Sequence, residues 1–144
     1  MTVNHQLAEQ LKKLSDRGMR LTEQRKAMIC LLLNSARPLS AVDIYQEMEK
    51  EFNGLSYGTV YQNIKLFKEL LIIESFVLAD EVRFRVINRE KPMYYLICMD
   101  CERTIPVDVQ PEELGLPMPT KSFQPVSYKL DVYGYCVDCN TLNH

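Results

Sequence analysis

The chain has no tryptophan, only five glycines and only two histidines in 144 residues. The histidines, His5 and His144, stand at opposite ends, so no HExxH pair and no Ser–His or Cys–His arrangement is available for catalysis. GxSxG and glycine-rich phosphate loops are missing as well, and no enzyme is expected. Long apolar runs are lacking: the longest, residues 27–33, has seven residues, where a membrane span needs ~20. With no basic–apolar–small leader at the start, a cytoplasmic protein without a membrane partner is expected. A cationic excess is also lacking. The net charge is −2, which rules out a uniformly basic nucleic-acid coat. There is no internal repeat and no low-complexity tract.

The charge is nevertheless uneven. Residues 1–88 carry 12 Lys+Arg against 11 Asp+Glu, and residues 89–144 carry 5 against 8, giving +1 and −3. A DNA-binding surface would have to be a local patch in the first half. The best candidate is the stretch 55–71, LSYGTVYQNIKLFKELL. Val60, Ile64, Phe67 and Leu71 form one apolar helical stripe, and Ser56 is placed to cap the helix. The other face presents Tyr57, Thr59, Tyr61, Gln62, Lys65 and Lys68, with no carboxylate before Glu69. Hydroxyls, an amide and lysines suit a polyanion, although a plain solvated helix can look the same.

Three helices are expected before it. Residues 3–17 bury Leu7, Leu11 and Leu14 and end at Gly18. Residues 23–34 start from a Thr22 cap, and residues 41–50 from a Ser40–Asp43 capping box. Strand-prone segments at 72–78 and 82–87, joined by a polar turn, add a wing to a helix-turn-helix. Arg83 and Arg85 share one face of the second strand, where they would serve phosphate or pair with acids. Residues 88–92, NREKP, read as a hinge between a winged-helix DNA-binding domain, 1–87, and a small domain, 93–144. The latter is expected to hold strands at 93–97, 103–109 and 124–133 with a scrap of helix within 111–119. This is an α+β chain whose second domain is too small to be secure without a metal or a partner subunit.

Two CxxC knuckles supply that metal. Cys98-Met99-Asp100-Cys101 and Cys136-Val137-Asp138-Cys139 offer four thiolates, the donor set of a closed tetrahedral zinc site with no open catalytic position. One structural zinc per chain is expected. The competing reading is a zinc-thiolate redox switch, a regulator or oxidoreductase whose CxxC pairs form disulfides. Cys30, alone in an apolar helix, reads as inert.

Together these segments resemble the ferric-uptake-regulator family. The carrying residues are Gly18-Met19-Arg20-Leu21-Thr22-Glu23-Gln24-Arg25, Leu39-Ser40-Ala41-Val42-Asp43-Ile44-Tyr45, Thr59-Val60-Tyr61 with Asn63, and the first knuckle. The C-terminal Leu130-Asp131-Val132-Tyr133-Gly134-Tyr135 before the second knuckle looks most like the peroxide-sensing branch. The resemblance implies a winged helix, a C-terminal α/β dimerisation domain, a homodimer on a near-palindromic double-stranded DNA operator, repression, and structural zinc on Cys98, Cys101, Cys136 and Cys139. By the same likeness Tyr61 is a candidate DNA contact, with Gln62 where an arginine is frequent. On the reading of the helix face and wing given above, Tyr57, Thr59, Tyr61, Gln62 and Lys65 would enter or flank the major groove, while Lys68, Arg20, Arg25 and Arg83 would position on phosphates.

One part of the pattern is missing. Where the family holds its regulatory metal with histidines and carboxylates, this chain has Arg37, Arg85, Met93, Tyr95 and Pro106. None of these ligates ferrous iron or manganese, so the regulatory site reads as lost and DNA binding as metal-independent. Arg37 and Arg85 would then lock the DNA-ready pose, bind an anion, or be solvated. No small-molecule effector is evident. Leu71 also stands where a glycine is common in the family.

Overall fold

The structure is a computed structural model that describes residues 3–87, 93–108, 113, 115, 121–124 and 130–140. The chain divides into two compact units, 1–87 and 88–144. In the first, four helices precede a hairpin: α1 (Val3–Asp16), α2 (Glu23–Asn34), α3 (Ala41–Glu49), α4 (Tyr57–Glu69), β1 (Ile73–Leu78) and β2 (Glu81–Val86).

Each helix start is fixed locally. Thr22 Oγ1 accepts the Arg25 N–H, Ser40 and Asp43 close a reciprocal capping box, and Ser56 Oγ accepts the Thr59 N–H. The apolar stripes then converge. Leu14 from α1, Met28, Ile29 and Leu32 from α2, Ile44 and Met48 from α3, and Val60, Ile64 and Phe67 from α4 form one core with Ile72, Ile73 and Phe84. Leu39, just before α3, exchanges both backbone hydrogen bonds with Phe84, 2.8 and 3.2 Å. That bridge ties the loop after α2 to the β2 side of the wing.

The end of α4 shows what replaces the glycine. Leu71 has φ +60° and is 46% exposed. The Ile72 N–H reaches back to the Phe67 carbonyl at 2.9 Å, the long bond of a Schellman cap, which requires a left-handed residue between them. A leucine is strained there by ~1–2 kcal/mol. Part of that is offset by the greater chain entropy that glycine would lose on folding. Leu71→Gly is therefore expected to stabilise the first unit by roughly 0.5–1 kcal/mol, a rise of about 3–6 °C in melting midpoint. A fall in midpoint would mean that the packing of the leucine side chain outweighs its backbone strain.

The second unit is a three-stranded sheet in the order β4-β3-β5, from β3 (Met93–Cys98), β4 (Thr104–Asp108) and β5 (Asp131–Gly134). β4 runs antiparallel to β3, and β5 parallel to it. The strand expected over 124–133 is observed only as Asp131–Gly134, with 125–129 outside the described residues. Most of the expected helical scrap within 111–119 also lies outside them.

Candidate metal centre and nucleic-acid interface

The sheet is what assembles the cysteines. The first knuckle follows directly from the end of β3, and the second follows β5 after Tyr135. Parallel pairing of Cys98 with Gly134 brings both turns to the same end of the sheet. The Met99 N–H donates to the Gly134 carbonyl at 2.8 Å, and the Cys98 N–H to the Arg103 carbonyl at 3.0 Å. The Sγ atoms of Cys98, Cys101, Cys136 and Cys139 all lie within 4.8 Å of one another, and those of Cys101 and Cys136 are 3.8 Å apart. A regular tetrahedron with metal–sulfur bonds of ~2.3 Å has sulfur–sulfur edges of ~3.8 Å. Four soft donors at that spacing fit a tetrahedral ion of the zinc type.

The electrostatics agree with that fit. The Cys136 N–H donates to Cys98 Sγ at 3.4 Å and pulls the Cys98 thiol down to about 6. The Cys139 thiol is pushed up, first by its hydrogen bond with Cys136. Without metal the cluster thus holds both charged and protonated sulfurs, and a divalent cation displaces the remaining protons. Arg103, two residues beyond Cys101, pairs with Asp138 inside the second knuckle at 3.3 Å. The negative charge of Cys136, then the bond to Asp138, holds its guanidinium above its usual value. This cation lies beside a site that carries two net negative charges once four thiolates hold a divalent ion. The sequence reading missed Arg103 and Asp138, whose only signal was their place within and just after the knuckles.

In the first unit, Tyr57, Thr59, Tyr61, Gln62, Lys65 and Lys68 are all exposed, on the side of α4 away from Val60, Ile64 and Phe67. Tyr57 stacks on Tyr61 with ring centroids 6.3 Å apart and planes at 24°. Tyr45 of α3 meets Tyr57 edge-on at 5.7 Å and 69°. The Glu49 carboxylate, one helical turn on, raises the pKa of the Tyr45 hydroxyl.

The arginines divide. Arg20 is exposed. Arg25 is half-buried, its Nε donating to Asn63 Oδ1 at 3.1 Å and a terminal nitrogen to the Arg20 carbonyl at 2.9 Å. It joins the start of α2 to a buried position on α4 that sequence periodicity did not single out. Arg83, read as a phosphate contact, is instead only 5% exposed. Its guanidinium meets Glu81 at 3.0 Å and the Pro38 carbonyl at 3.4 Å. Burial explains the difference, since a guanidinium inside the fold needs a carboxylate and carbonyls, not solvent-borne phosphate. Arg85 is likewise buried, 2.8 Å from Glu74 opposite it in the hairpin and 4.4 Å above the Phe76 ring.

The remaining regulatory-site positions are as follows. Arg37 lies 3.6 Å from Asp43. Tyr95 pairs in register with Pro106, and Met93 with Asp108.

A helix-turn-helix with a hairpin wing, joined to a sheet unit that gathers four cysteines, defines a DNA-binding regulator with a thiolate metal centre. The chain belongs to the ferric uptake regulator family, whose model matches residues 16–133. The ferric uptake regulation protein of Staphylococcus epidermidis is 35% identical over 130 residues, covering 90% of this chain and 92% of the relative. That of Staphylococcus aureus is 32% identical and covers 90% and 94%. A zinc-bound manganese uptake regulator has a TM-score of 0.64 at 25% identity, covering 89% of this chain and 98% of that one. A zinc uptake regulator complexed with zinc and DNA shares the fold at TM-score 0.69 and 17% identity, covering 99% and 98%. Ferric, manganese and zinc regulators thus match alike, and the peroxide-sensing branch does not stand apart. Members of the family are transcriptional regulators, not enzymes. No helix among the described residues is long and apolar enough to cross a membrane.

Proposed function

We propose that this protein is a homodimeric, zinc-stabilised repressor that binds a double-stranded DNA operator without a second, regulatory metal. What supports a chain without that metal is the set of residues at the expected ligand positions, seen beside the cysteine cluster. The four cysteines are the only group of potential ligand residues clustered closely enough for an ion among the described residues. The expected ligand positions hold Arg37 and Arg85, both engaged with carboxylates, and Tyr95 facing Pro106. A guanidinium supplies a fixed positive charge where a divalent ion would otherwise supply a removable one. Arg37 and Arg85 then keep charge balance without metal.

In this reading Tyr57, Thr59, Tyr61, Gln62 and Lys65 read or flank the major groove, and Lys68 and Arg20 rest on phosphates. Arg25 and Arg83 support the scaffold from within. Zinc on the four thiolates holds the second unit together for dimerisation and takes no part in chemistry.

The test is calorimetric titration of the one-zinc protein with manganese, ferrous iron and further zinc, alongside operator binding with and without each ion. No additional site and unchanged DNA affinity are expected. A second specific site would return the protein to the metal sensors. Lys68→Ala, at a phosphate position, is expected to weaken operator binding and flatten its salt dependence, with the slope falling by roughly one. Unchanged binding by both Lys65→Ala and Tyr61→Ala would remove α4 from the interface.

The exposure of Cys101 favours a second reading, in which a peroxide is reduced to water while two thiolates become a disulfide and zinc leaves. A thiol count before and after mild peroxide distinguishes the two, since a structural site keeps its thiols and its zinc.

A further inference from the structure

We infer that Tyr45 and Tyr57 are positioning residues that fix the side chain of Tyr61 in its DNA-reading orientation before DNA arrives. This rests on the reading that α4 is the recognition helix. The three rings form a chain of contacts from α3 to the exposed face of α4: Tyr45 edge-on to Tyr57 at 5.7 Å, then Tyr57 stacked on Tyr61 at 6.3 Å. The inner end is anchored. Tyr45 is half-buried and packs against the core of the first unit. The outer end is open, with Tyr57 44% and Tyr61 53% exposed.

An exposed tyrosine on a helix ordinarily samples several rotamers, and a base contact must select one of them. That selection costs ~0.5–1.5 kcal/mol for each side chain immobilised. Tyr57 and Tyr61 stand one helical turn apart, the spacing at which two side chains lie over one another. Stacked aromatic pairs hold a defined offset geometry, and the Tyr45 edge removes the remaining freedom of the middle ring. The cost of ordering Tyr61 is met in the free protein, so it is not subtracted from the operator contact. Tyr45 belongs to α3 and acts only through Tyr57.

The experiment uses the full-length zinc-loaded protein and an operator obtained by selecting from a random duplex library with that protein. Affinity is measured for this operator and for a scrambled duplex at the same salt. Tyr45→Leu is expected to lower the operator-to-scrambled ratio roughly three- to tenfold, while Tyr45→Phe keeps it. In a Tyr61→Ala background, Tyr45→Leu should cause no further loss, because the two act as a unit. Equal weakening on both duplexes, or full additivity with Tyr61→Ala, overturns the inference and leaves Tyr45 as packing. Should Tyr45→Leu fail to fold, Tyr57→Leu interrupts the same chain at its middle. An unchanged operator affinity in Tyr61→Ala alone overturns the recognition-helix reading itself, a result separate from the others.

Discussion

Cys136→Ser is expected to lose its zinc and, with it, the structure of the second unit. Among the described residues that unit buries few apolar side chains, with Ile97 at 1% exposure and Cys98 at 4% the deepest. Ile105, Val132, Tyr133 and Tyr135 all remain more than 40% exposed. Among the described residues of this unit, the apolar burial that normally offsets backbone entropy is small. On the proposed reading metal binding supplies the difference; in structural zinc sites it is worth ~10–16 kcal/mol in apparent free energy near neutral pH. Removing one of four thiolates forfeits most of that. Metal analysis should show zinc falling from one per chain to none, and amide exchange should show β3–β5 opening while α2–α4 stay protected. Retention of stoichiometric zinc with a protected sheet would show that the unit is held by its chain contacts.

Phe67→Ala should do the reverse. Phe67 is fully buried at the centre of the first unit's core. Truncating a phenylalanine at such a site costs ~3–5 kcal/mol, the sum of lost transfer energy and the cavity left behind. Against a total stability of ~5–15 kcal/mol, the first unit would be partly unfolded near its physiological temperature. The expected signature is a large drop in urea midpoint for the helical signal, loss of DNA binding, and unchanged zinc content. Phe67→Leu should recover most of the stability. If zinc were lost together with helicity, the two units would fold as one cooperative block.

What could be read in advance was local in sequence. The caps at Thr22, Ser40–Asp43 and Ser56 are decided within three residues, and they appear as expected. The CxxC spacing forces two sulfurs onto one turn, so the cluster was legible even though its two halves lie far apart in the chain. The polar face of α4 followed from helical period alone. What could not be read depended on distant partners. Arg83 could be read only as a choice between phosphate and an acid, and its burial, with Glu81 beside it and the Pro38 carbonyl 45 positions away accepting its hydrogen bonds, decides for the acid. Asn63 falls just off the apolar stripe and is buried because Arg25, 38 positions away, needs its oxygen. The likeness to the peroxide-sensing branch is not singled out by the comparisons, in which ferric, zinc and manganese regulators match comparably.

The strand order β4-β3-β5 also sets a schedule. β3, the central strand, waits for β5, and the metal site waits for Cys139. Unit 1 ends at Ile87, so the helices and wing can fold while the ribosome is still making the rest. At ~5–20 residues per second, the cysteines of the first knuckle then stand without their partners for roughly two to eight seconds. For that interval Cys98 and Cys101 are an unmatched dithiol on a nascent chain. Zinc capture, or its failure, is thus decided only once Cys139 has been added, by which point the first unit is already complete in sequence.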